Sequence, residues 1–377
     1  MRASPLNLIA FVSNNSWSVY NFRLDIIRYL QSQGFSIMVI APTDDFSKLL
    51  TSEGCLHVPV SFNNRSANPV SDFRLYRRLK KIYIQYKPKL IFHFVAKPNI
   101  YGTLAAGSLG IPSVAVITGL GYAFDRQNWL LFIVKGLYKL GLRKAIETWF
   151  LNADDATFFV QEKLVLPEKV KILPGEGVDT KYFKRSAIAE KKTGGNFIFI
   201  MSCRMLKSKG VCVYAQAARI LRQKGYRFEC HLMGAFEEAH PDSIAKEELD
   251  GWVKSGLIRY LGFAKDVRPY LQGADCCLLP SFYHEGVPRS LMEAASMELP
   301  VITTRNTGCK ELVLENISGY LCEQRNAEDL AEKMEKVMRL PVAGRMEMGY
   351  HGRQLMINKF DVSHVIKFYA SVVAAQF

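Results

Sequence analysis

The chain has 377 residues, of which 49% are hydrophobic, and this is enough apolar material for two buried cores. Its eight cysteines are scattered and form no C-x-x-C pair, which favours a reducing, cytosolic compartment over a disulfide framework or a zinc site. The net charge of +14 resides mainly in residues 1–185, which carry 24 lysines and arginines against 13 acids, so this half is expected to face an anionic partner.

The first half of the chain alternates apolar, strand-like runs with amphipathic, helix-like runs. The predicted strands are Leu6–Ser13, Phe35–Pro42, Lys89–Val95, Pro112–Thr118 and Ala156–Gln161, and the predicted helices are Tyr20–Gln33, Asp72–Tyr86, Ile100–Leu109 and Asn128–Leu151. The stretch from Pro98 to Phe124 has 27 residues without a charge, which is long enough to cross a bilayer. Because two prolines and five glycines divide it into a helix-like and a strand-like part, we expect a buried α/β unit instead.

The alternation resumes after the lysine- and glycine-bearing segment Lys184–Asn196. The predicted strands are Phe197–Ser202, Phe228–Met233, Leu257–Gly262, Asp275–Pro280 and Val301–Thr304, and the predicted helices are Val211–Gln223, Val267–Leu271, Ser290–Glu298, Arg345–Asn358 and Val362–Ala375. Such alternation specifies parallel sheets with crossover helices. We therefore expect an α/β fold of two doubly wound, Rossmann-like domains that face each other across a cleft. The predicted domains are residues 1–178 and 179–355, with a C-terminal helix in 356–377 that crosses back to the first domain.

The most informative motif is a pair of glutamates, Glu285 and Glu293, on either side of a predicted helix start. The strand Asp275–Pro280 leads into Glu285, and the helix begins near Pro288, where a missing N–H has little effect. Glu285 is therefore expected at the carboxyl end of a strand, and Glu293 about two turns into the helix. In an open parallel sheet that crevice binds ligands, and the N–H groups of a helix start attract anions. The arrangement suits a ligand with both phosphate and hydroxyl groups, such as a nucleotide sugar.

Two cations, Arg204 and Lys209, follow the predicted strand Phe197–Ser202 in the same domain. Arginine can bind phosphate bidentately, and lysine adds a point charge. Solvated loop cations are the alternative interpretation of this pair taken by itself. Coincidence with the two glutamates favours a shared site for a phosphorylated ligand.

A metal ion could neutralise phosphate in place of these cations. The chain has no Asp-x-Asp motif, and its acid pairs Asp44-Asp45 and Asp154-Asp155 are adjacent residues. Neighbouring side chains on a strand point to opposite faces and chelate poorly, and we expect the second pair at the start of a strand. The sequence therefore predicts chemistry without a metal or another cofactor.

Four motifs together resemble the C-terminal domain of family-4 retaining glycosyltransferases, whose two-domain architecture is called GT-B. They are the segment Glu285–Glu293, the Arg204/Lys209 pair, the turn Leu261–Val267 and Thr304-x-x-x-Gly308-x-x-Glu311. The resemblance implies that Glu293 holds the ribose and that Arg204 and Lys209 hold the donor diphosphate. It also implies that the sugar and β-phosphate contact Glu285 and the backbone of Gly286, Val287 and Pro288, and that Gly262 and Phe263 lie on the base.

The first domain resembles one subgroup, the bacterial transferases that add N-acetylgalactosamine to an undecaprenyl-diphosphate-linked amino sugar. The motifs are Phe22-Arg23, Asn64–Pro69, Lys97-Pro98-Asn99 and Gly119-Leu120-Gly121. The predicted acceptor site consists of Asn15, Arg65, Lys97, Gly119 and Gly121. Arg65 and Lys97 lie in predicted loops that could bind a lipid diphosphate, with solvated loop cations as the alternative interpretation. Many family members instead have a Gly-Gly turn after the first strand and a histidine near the second loop. The orientation of the sugar and the identity of the acceptor therefore stay open.

Two segments of the first half mix cations with aromatic residues at helical spacing, Arg74–Tyr83 and Trp129–Lys144. Basic amphipathic helices suit an anionic membrane surface, although helices that cover a sheet have similar apolar faces. The N-terminus leads straight into a strand without a cleavable signal pattern. These features predict a cytoplasmic protein, peripheral to the inner face of the cell membrane, that acts on a UDP-sugar and a lipid-linked saccharide.

Three other functions are weighed against this one. A capsule or O-antigen transferase that uses UDP-galactose or UDP-glucose is the alternative within the same fold. A nucleic-acid-binding protein would explain the basic first half, but the sequence has no recognised binding module and the two glutamates would have no role. A dinucleotide oxidoreductase would need G-x-G-x-x-G after a strand, which the chain lacks.

Overall fold

The computed structural model describes residues 7–62, 68–120, 129–186, 196–237 and 240–377. The chain divides into two compact units. Unit 1 consists of the chain up to Glu176 together with Val362–Phe377, and unit 2 is Gly177–Asp361. The boundaries predicted from the sequence follow residues 178 and 355, whereas the two units meet along the chain after Glu176 and after Asp361.

Unit 1 contains a parallel sheet whose described strands have the order β3-β2-β1-β4-β5-β6-β7. The strands are β1 (Leu8–Val12), β2 (Ser36–Ala41), β3 (Leu56–Pro59), β4 (Leu90–Phe94), β5 (Ser113–Ile117), β6 (Glu147–Phe150) and β7 (Val170–Ile172). The helices are α1 (Ser16–Ser32), α2 (Asp45–Ser52), α3 (Pro69–Tyr86), α4 (Thr103–Gly107), α5 (Trp129–Leu142) and α6 (Ala153–Gln161). A π-helical turn, Pro98–Gly102, precedes α4.

The direction of the crossovers decides which helices share a face of this sheet. Parallel connections are right-handed, so the two helices that lead towards β3 lie on one face and those that lead away from it lie on the other. Consequently α1 and α2 cover one face, whereas α3, α4 and α5 cover the opposite face. The observed contacts agree, because α1 packs on α2, while α4 packs on both α3 and α5.

Unit 2 contains a second parallel sheet, whose described strands have the order β10-β9-β8-β11-β12-β13. The strands are β8 (Phe197–Ser202), β9 (Phe228–Met233), β10 (Arg259–Tyr260), β11 (Cys276–Leu279), β12 (Val301–Thr304) and β13 (Gly319–Cys322). The helices are α7 (Val211–Gln223), α8 (Lys246–Lys254), α9 (Arg268–Gly273), α10 (Arg289–Ser296), α11 (Ala327–Arg339) and α12 (Val342–Leu355). The predicted α/β class with two doubly wound parallel sheets is confirmed.

The last helix, α13 (Val362–Gln376), belongs to unit 1. Its Tyr369 is buried, with its ring 4.7 Å from that of Phe92 and 4.9 Å from that of Trp149. Aromatic pairs at such separations stabilise a core beyond the area that they bury. This contact ties the C-terminal helix to the centre of the first sheet.

Two neighbouring predictions in the first half are wrong. The predicted helix Asn128–Leu151 is interrupted, because α5 ends at Leu142 and β6 follows it. The predicted strand Ala156–Gln161 lies within helix α6. The aromatic and β-branched residues of that run favour a strand by local propensity, but their packing in the fold overrides it.

The start of α6 also corrects the expectation for Asp154-Asp155. Asn152 caps the helix by accepting the N–H of Asp155 at 2.8 Å, and both acids lie in the first helical turn. Negative side chains are favoured there by the helix dipole. The pair therefore begins a helix and not a strand.

Among the described residues, no helix combines the length and the apolar character needed to cross a membrane. The uncharged stretch that begins at Pro98 forms the π-helical turn, α4 and β5 as far as it is described.

Candidate functional site

The central strands of the second sheet bring two sets of predicted residues together at their carboxyl ends. Strand β8 pairs with β9 on one side and with β11 on the other. The chain therefore leaves β8 and β11 in opposite directions, which opens a crevice at their carboxyl ends. Arg204 and Lys209 follow β8, and Glu285 follows β11.

Lys209 and Glu285 form a buried ion pair in this crevice. The Lys209 Nζ lies 2.5 Å from Glu285 Oε1, and the two residues are 9% and 7% exposed. The same carboxylate oxygen accepts the hydroxyl of Ser281 at 2.8 Å. Because a buried charge is stable only with partners of this kind, each member of the pair holds the other in place.

Arg204 lies at the more exposed side of the same crevice. Its Nη1 is 3.2 Å from Glu237 Oε1, and its side chain remains 42% exposed. The ring of Tyr283 is 5.7 Å from the Arg204 guanidinium and 4.8 Å from the Lys209 ammonium. An aromatic face at these distances attracts both cations, so Tyr283 holds two positive groups beside one opening.

Helix α10 supplies the second glutamate. Its N-cap residue is Pro288, whose side chain has no group that could cap the first N–H groups of the helix. Glu293 is the fifth residue of α10, nearer to the helix start than the two turns expected from the sequence, and its Oε1 accepts a hydrogen bond from Arg289 Nε at 3.2 Å. Burial raises the pKa of Glu293 above its ordinary value, although the charge of Arg289 opposes the rise. A helix start open to an anion and a mostly buried carboxylate thus lie on one helix.

Three further residues, two of which sequence reasoning missed, hold these loops in position. Asp242 accepts hydrogen bonds from the backbone N–H and the hydroxyl of Ser208, next to Lys209. From the end of β12, Thr304 Oγ1 donates to the carbonyl of Ser281 at 2.5 Å, and Asn306 Nδ2 donates to that of Tyr283 at 2.5 Å. Thr304 belongs to a motif recognised in the sequence. Asp242 and Asn306 lie in irregular segments, where periodicity gives no signal.

Two glycines allow the loops to touch through their backbones. Gly210, with φ of +83°, packs on the Pro280 carbonyl, and Gly308, with φ of +75°, packs on the Gly286 carbonyl. A Cβ atom would lie 2.1 Å from the first oxygen and 1.9 Å from the second. Only glycine fits such contacts at positive φ. The loops after β8, β11 and β12 are therefore locked together.

The turn after β10 lies beside the same crevice. Gly262 has φ of +72°, and its carbonyl accepts the N–H of Gly234, the first residue after β9, at 3.0 Å. Tyr260 Oη donates to the Gly234 carbonyl at 2.7 Å. Phe263 is 55% exposed, which is unusual for a large apolar side chain and leaves its ring open to a planar ligand.

The predicted acceptor residues follow three neighbouring strands of unit 1. Asn15 comes after β1, Lys97 after β4 and Gly119 after β5, and β4 lies between the other two strands. Their backbones are thus brought to one edge of the sheet. Arg65 and Gly121 lie outside the described residues.

The side chains of two of these residues already have structural partners. Asn15 Oδ1 caps α1 by accepting the N–H of Ser18 at 2.7 Å. Lys97 Nζ lies 2.5 Å from Asp72 Oδ1, while Tyr101 donates its hydroxyl to Asp72 Oδ2 at 2.9 Å. An acceptor that binds Lys97 would therefore share its ammonium with the Asp72 carboxylate.

Strand β4 ends in an unusual backbone conformation. Val95 has φ of +64°, a left-handed value that a β-branched residue rarely adopts. Its carbonyl accepts the N–H of Asn99 at 3.0 Å, inside the π-helical turn. Strain of this kind clusters at functional sites, which adds Val95 to the candidate site of unit 1. The apolar run that predicts the strand contains no sign of this strain.

The acid pairs discussed for metal binding lie at helix starts, where Asp44 is a cap and Asp154 and Asp155 belong to the first turn of α6. Asp44 accepts the N–H groups of Phe46 and Ser47 at the start of α2, and its second oxygen accepts those of Ser16 and Trp17 at the start of α1. Among the described residues, no group of three or more His, Cys, Asp or Glu side chains is arranged to hold a metal ion.

Comparison with known families identifies both halves of the chain. Residues 8–148 match the family described as "Glycosyl transferase 4-like", and residues 196–339 match "Glycosyl transferases group 1". The first match spans β1 to β5 of unit 1 and ends within β6, and the second spans all six described strands of the sheet in unit 2.

Two curated relatives align along most of the chain. The N,N'-diacetylbacillosaminyl-diphospho-undecaprenol alpha-1,3-N-acetylgalactosaminyltransferase of Campylobacter jejuni is 30% identical and covers 88% of this chain and 89% of its own length. The UDP-Gal:alpha-D-GlcNAc-diphosphoundecaprenol alpha-1,3-galactosyltransferase of Escherichia coli is 25% identical and covers 79% of this chain and 78% of its own length.

A solved structure supports the fold independently. The Anabaena protein Alr3699/HepE, crystallised with UDP and glucose, superposes with a TM-score of 0.82 over 98% of this chain and 100% of its own, at 18% identity. At this identity the likeness establishes the fold of the chain.

Proposed function

The chain belongs to the glycosyltransferases, with a family-4-like first half and a group 1 second half, and we propose that it transfers N-acetylgalactosamine from a UDP-sugar to a polyprenyl-diphosphate-linked saccharide. The observation that carries this proposal is the 30% identity, across 88% of the chain, to the Campylobacter jejuni enzyme named for that sugar and a lipid-linked acceptor. Such a step belongs to the assembly of a bacterial surface glycan or glycoprotein.

In this proposal the donor binds at the crevice of unit 2. Arg204 and Lys209 contact the diphosphate, the start of α10 contributes N–H donors, and Glu293 accepts the ribose hydroxyls. Glu285 and the backbone of Gly286, Val287 and Pro288 contact the sugar and the β-phosphate. The base stacks at Gly262 and Phe263. The geometry supports these roles because the ion pair of Lys209, the cation of Arg204 and the open helix start lie around one strand pair.

The chemistry requires stabilisation of a leaving group. When the bond from the sugar to UDP breaks, negative charge develops on the diphosphate and positive charge on the sugar ring. Fixed donors aimed at that diphosphate stabilise the transition state more than the ground state. Lys209 has three N–H donors, so it can keep Glu285 while it contacts phosphate.

We propose that the reaction retains the configuration of the sugar. The acceptor hydroxyl attacks the anomeric carbon on the face from which UDP leaves, and the departing phosphate oxygen takes its proton. The new glycosidic bond replaces the bond to UDP, and the proton ends on UDP. Glu285 needs no covalent bond to the sugar in this scheme, and its contact with Lys209 suits a supporting role.

The acceptor half of the proposal assigns the lipid-linked saccharide to unit 1. Asn15, Lys97 and Gly119 follow adjacent strands, and Arg65 and Gly121 are predicted to join them. Because a polyprenyl chain stays in the bilayer, we propose that the protein works peripherally at the cytoplasmic face of the cell membrane.

A direct test is incubation with a panel of UDP-sugars and a short-chain polyprenyl-diphosphate-linked amino sugar, followed by mass analysis. We expect the acceptor to gain one N-acetylhexosamine, with UDP-N-acetylgalactosamine as the preferred donor. Transfer of galactose or glucose instead would favour the capsule or O-antigen alternative. Absence of transfer from every UDP-sugar, with labelled DNA or RNA bound in its place, would reject the proposal.

A further inference from the structure

Helices α3 and α5 lie on the same face of the first sheet, on either side of the short helix α4. Each buries one side against the sheet: α3 through residues such as Leu75 and Leu79, and α5 through Tyr138 and Leu142. Their opposite sides point away from the sheet. We call the outward sides of these two helices the α3/α5 face.

The α3/α5 face exposes large apolar side chains among cations. Those more than 45% exposed are Val70, Phe73 and Ile84 on α3, and Phe132, Ile133 and Leu140 on α5. The cations with exposed or half-exposed side chains on the same helices, or within two residues after them, are Arg74, Arg77, Arg78, Lys80, Lys81, Lys87, Lys135, Lys139, Arg143 and Lys144. Phe132 is 78% exposed, an extreme value for an aromatic residue on an ordinary soluble helix.

Acidic side chains are nearly absent from this face. The single acid within α3 and α5 is Asp72, which is buried and paired with Lys97. Glu162, the residue that follows α6, is paired with Lys135. On the opposite face of the sheet, α1 and α2 carry Asp25 and Asp45 among their own cations. Among these four helices, the excess of positive charge is therefore concentrated on the α3/α5 face.

The most exposed apolar residues also lie near the candidate acceptor site. Phe73 and Phe132 lie within the first five residues of their helices, which start at the carboxyl ends of the strands. Lys97 and Gly119 lie at those same carboxyl ends. Apolar side chains are thus exposed where a lipid-linked substrate would leave the bilayer.

We propose that the α3/α5 face is the surface that docks on an anionic lipid bilayer, with the exposed apolar side chains entering the headgroup region. This inference rests on the proposed function, since it gives the lipid-linked acceptor a direct route to unit 1. Cations attract the anionic headgroups, and aromatic residues insert at the boundary with the acyl chains. The carboxyl edge of the first sheet then lies at the membrane surface.

The experiment is sedimentation of the full-length protein with vesicles that contain phosphatidylglycerol, at low and high salt, and with phosphatidylcholine vesicles as a comparison. The test variant is Phe132→Ser/Arg77→Gln. The matched control is Leu49→Ser/Lys48→Gln on α2, which removes one exposed apolar residue and one cation from the opposite face. We expect the test variant to bind anionic vesicles about tenfold more weakly and the control to stay within about twofold of the parent protein.

Two activity measurements separate this inference from the proposed function. With a short, water-soluble acceptor, parent protein and both variants should turn over alike, because neither helix surface touches the reacting atoms. With a full-length polyprenyl acceptor in anionic vesicles, only the test variant should lose activity. Failure with the short acceptor in the parent protein would reject the proposed function itself.

Three results would overturn the docking surface. The first is equal vesicle binding by the two variants, and the second is no vesicle binding by the parent protein. The third is a change from dimer to monomer in the test variant by light scattering without any vesicle binding, which would show that the face contacts a second copy of the chain. Unchanged UDP affinity and thermal unfolding in both variants exclude misfolding as the cause.

Discussion

Glu285 and Glu293 have different electrostatic surroundings, although each is a carboxylate in the same unit. Glu285 is bound by the Lys209 ammonium and by the Ser281 hydroxyl. Glu293 contacts the Arg289 guanidinium, and burial raises its pKa. The first is suited to hold a cation and a sugar hydroxyl in place, and the second to accept hydroxyl groups from a ligand that excludes water. These different surroundings support the two separate roles proposed for the carboxylates in place of an acid and base pair.

The Glu293→Gln variant should weaken UDP binding. A hydrogen bond to an ionised group is worth roughly 1.5–3 kcal/mol, so affinity should fall about 10- to 100-fold at neutral pH. The carboxylate binds ribose fully only when ionised, and its raised pKa lies above 4.5. Affinity of the parent protein should therefore decline as pH falls towards that range.

Calorimetric titration of UDP between pH 5 and 8 measures both effects. The titration of the diphosphate is common to the two proteins, so it cancels in the ratio of their affinities. That ratio should shrink at acidic pH. A variant that binds UDP as tightly as the parent protein at neutral pH would remove Glu293 from the ribose contact.

Replacing Arg289 tests whether its charge keeps Glu293 in the ionised form. In Arg289→Met the nearby positive charge is lost, so the pKa of Glu293 should rise further and the acid-side midpoint of UDP affinity should move up by about one pH unit. Arg289→Lys keeps the charge and should leave the midpoint near that of the parent protein. Identical midpoints for all three proteins would show that Arg289 contributes only to packing.

Arg204→Ala should lower turnover. If its guanidinium stabilises the leaving diphosphate, loss of one such donor removes roughly 3 kcal/mol of transition-state stabilisation, or about 100-fold in kcat. Steady-state assays at saturating donor measure the change. Arg339→Ala is the control, since Arg339 is also an exposed arginine paired with a glutamate, at 2.6 Å from Glu335 on α11. Equal turnover of the two variants would contradict the assignment.

The loops of unit 2 depend on backbone contacts, and Gly308→Ala tests them. The new Cβ would overlap the Gly286 carbonyl, whereas at Gly225, also at positive φ, it would meet nothing within 4 Å. Gly225→Ala should lose only the conformational term, about 1–2 kcal/mol of unfolding free energy. Gly308→Ala should lose more than this, together with UDP affinity. Thermal unfolding and UDP titration distinguish the two, and equal UDP affinity would mean that the contact does not shape the site.

The sequence predicts those elements best whose local pattern agrees with their burial. The strands Phe197–Ser202, Phe228–Met233 and Val301–Thr304 and the helix Val211–Gln223 are confirmed to the residue. In Ala156–Gln161 the aromatic residues favour a strand, and the caps that mark a helix lie several residues earlier. No element was predicted from the sequence in the stretches that form helices α2, α8 and α11 and strands β3, β7 and β13.

Some residues of the candidate site could likewise be predicted from the sequence, and others could not. Residues in recognisable motifs after strands, such as Lys209 and Glu285, could be named from sequence and are brought together by the adjacency of β8 and β11. Glu237 and Asn306 could not, because their roles depend on where irregular loops fold in space. The ion pair between Lys97 and Asp72 could also not be predicted from the sequence, since 25 residues separate them.

The two units repeat one strand order but differ at the helix that follows the central strand. In unit 1 the start of α1 is capped by Asn15 and by the Asp44 carboxylate. In unit 2, α7 begins after Gly210, which has no side chain to cap the helix, and Arg204 and Lys209 precede it in the same loop. A negative ligand at a helix start is therefore disfavoured in unit 1 and favoured in unit 2. Across the whole molecule, this difference supports a nucleotide diphosphate in the second unit.

The same distribution of charge leads to a prediction about metal dependence. Many diphosphate-binding enzymes use a divalent ion to neutralise the leaving group. Here Arg204, Lys209 and the start of α10 supply positive charge from the protein itself, so turnover in excess EDTA should stay within about twofold of turnover in magnesium. The comparison should be repeated in the Arg204→Ala variant, where added magnesium could restore part of the missing charge. Loss of activity in EDTA, recovered on addition of manganese or magnesium, would show that the protein cations do not suffice.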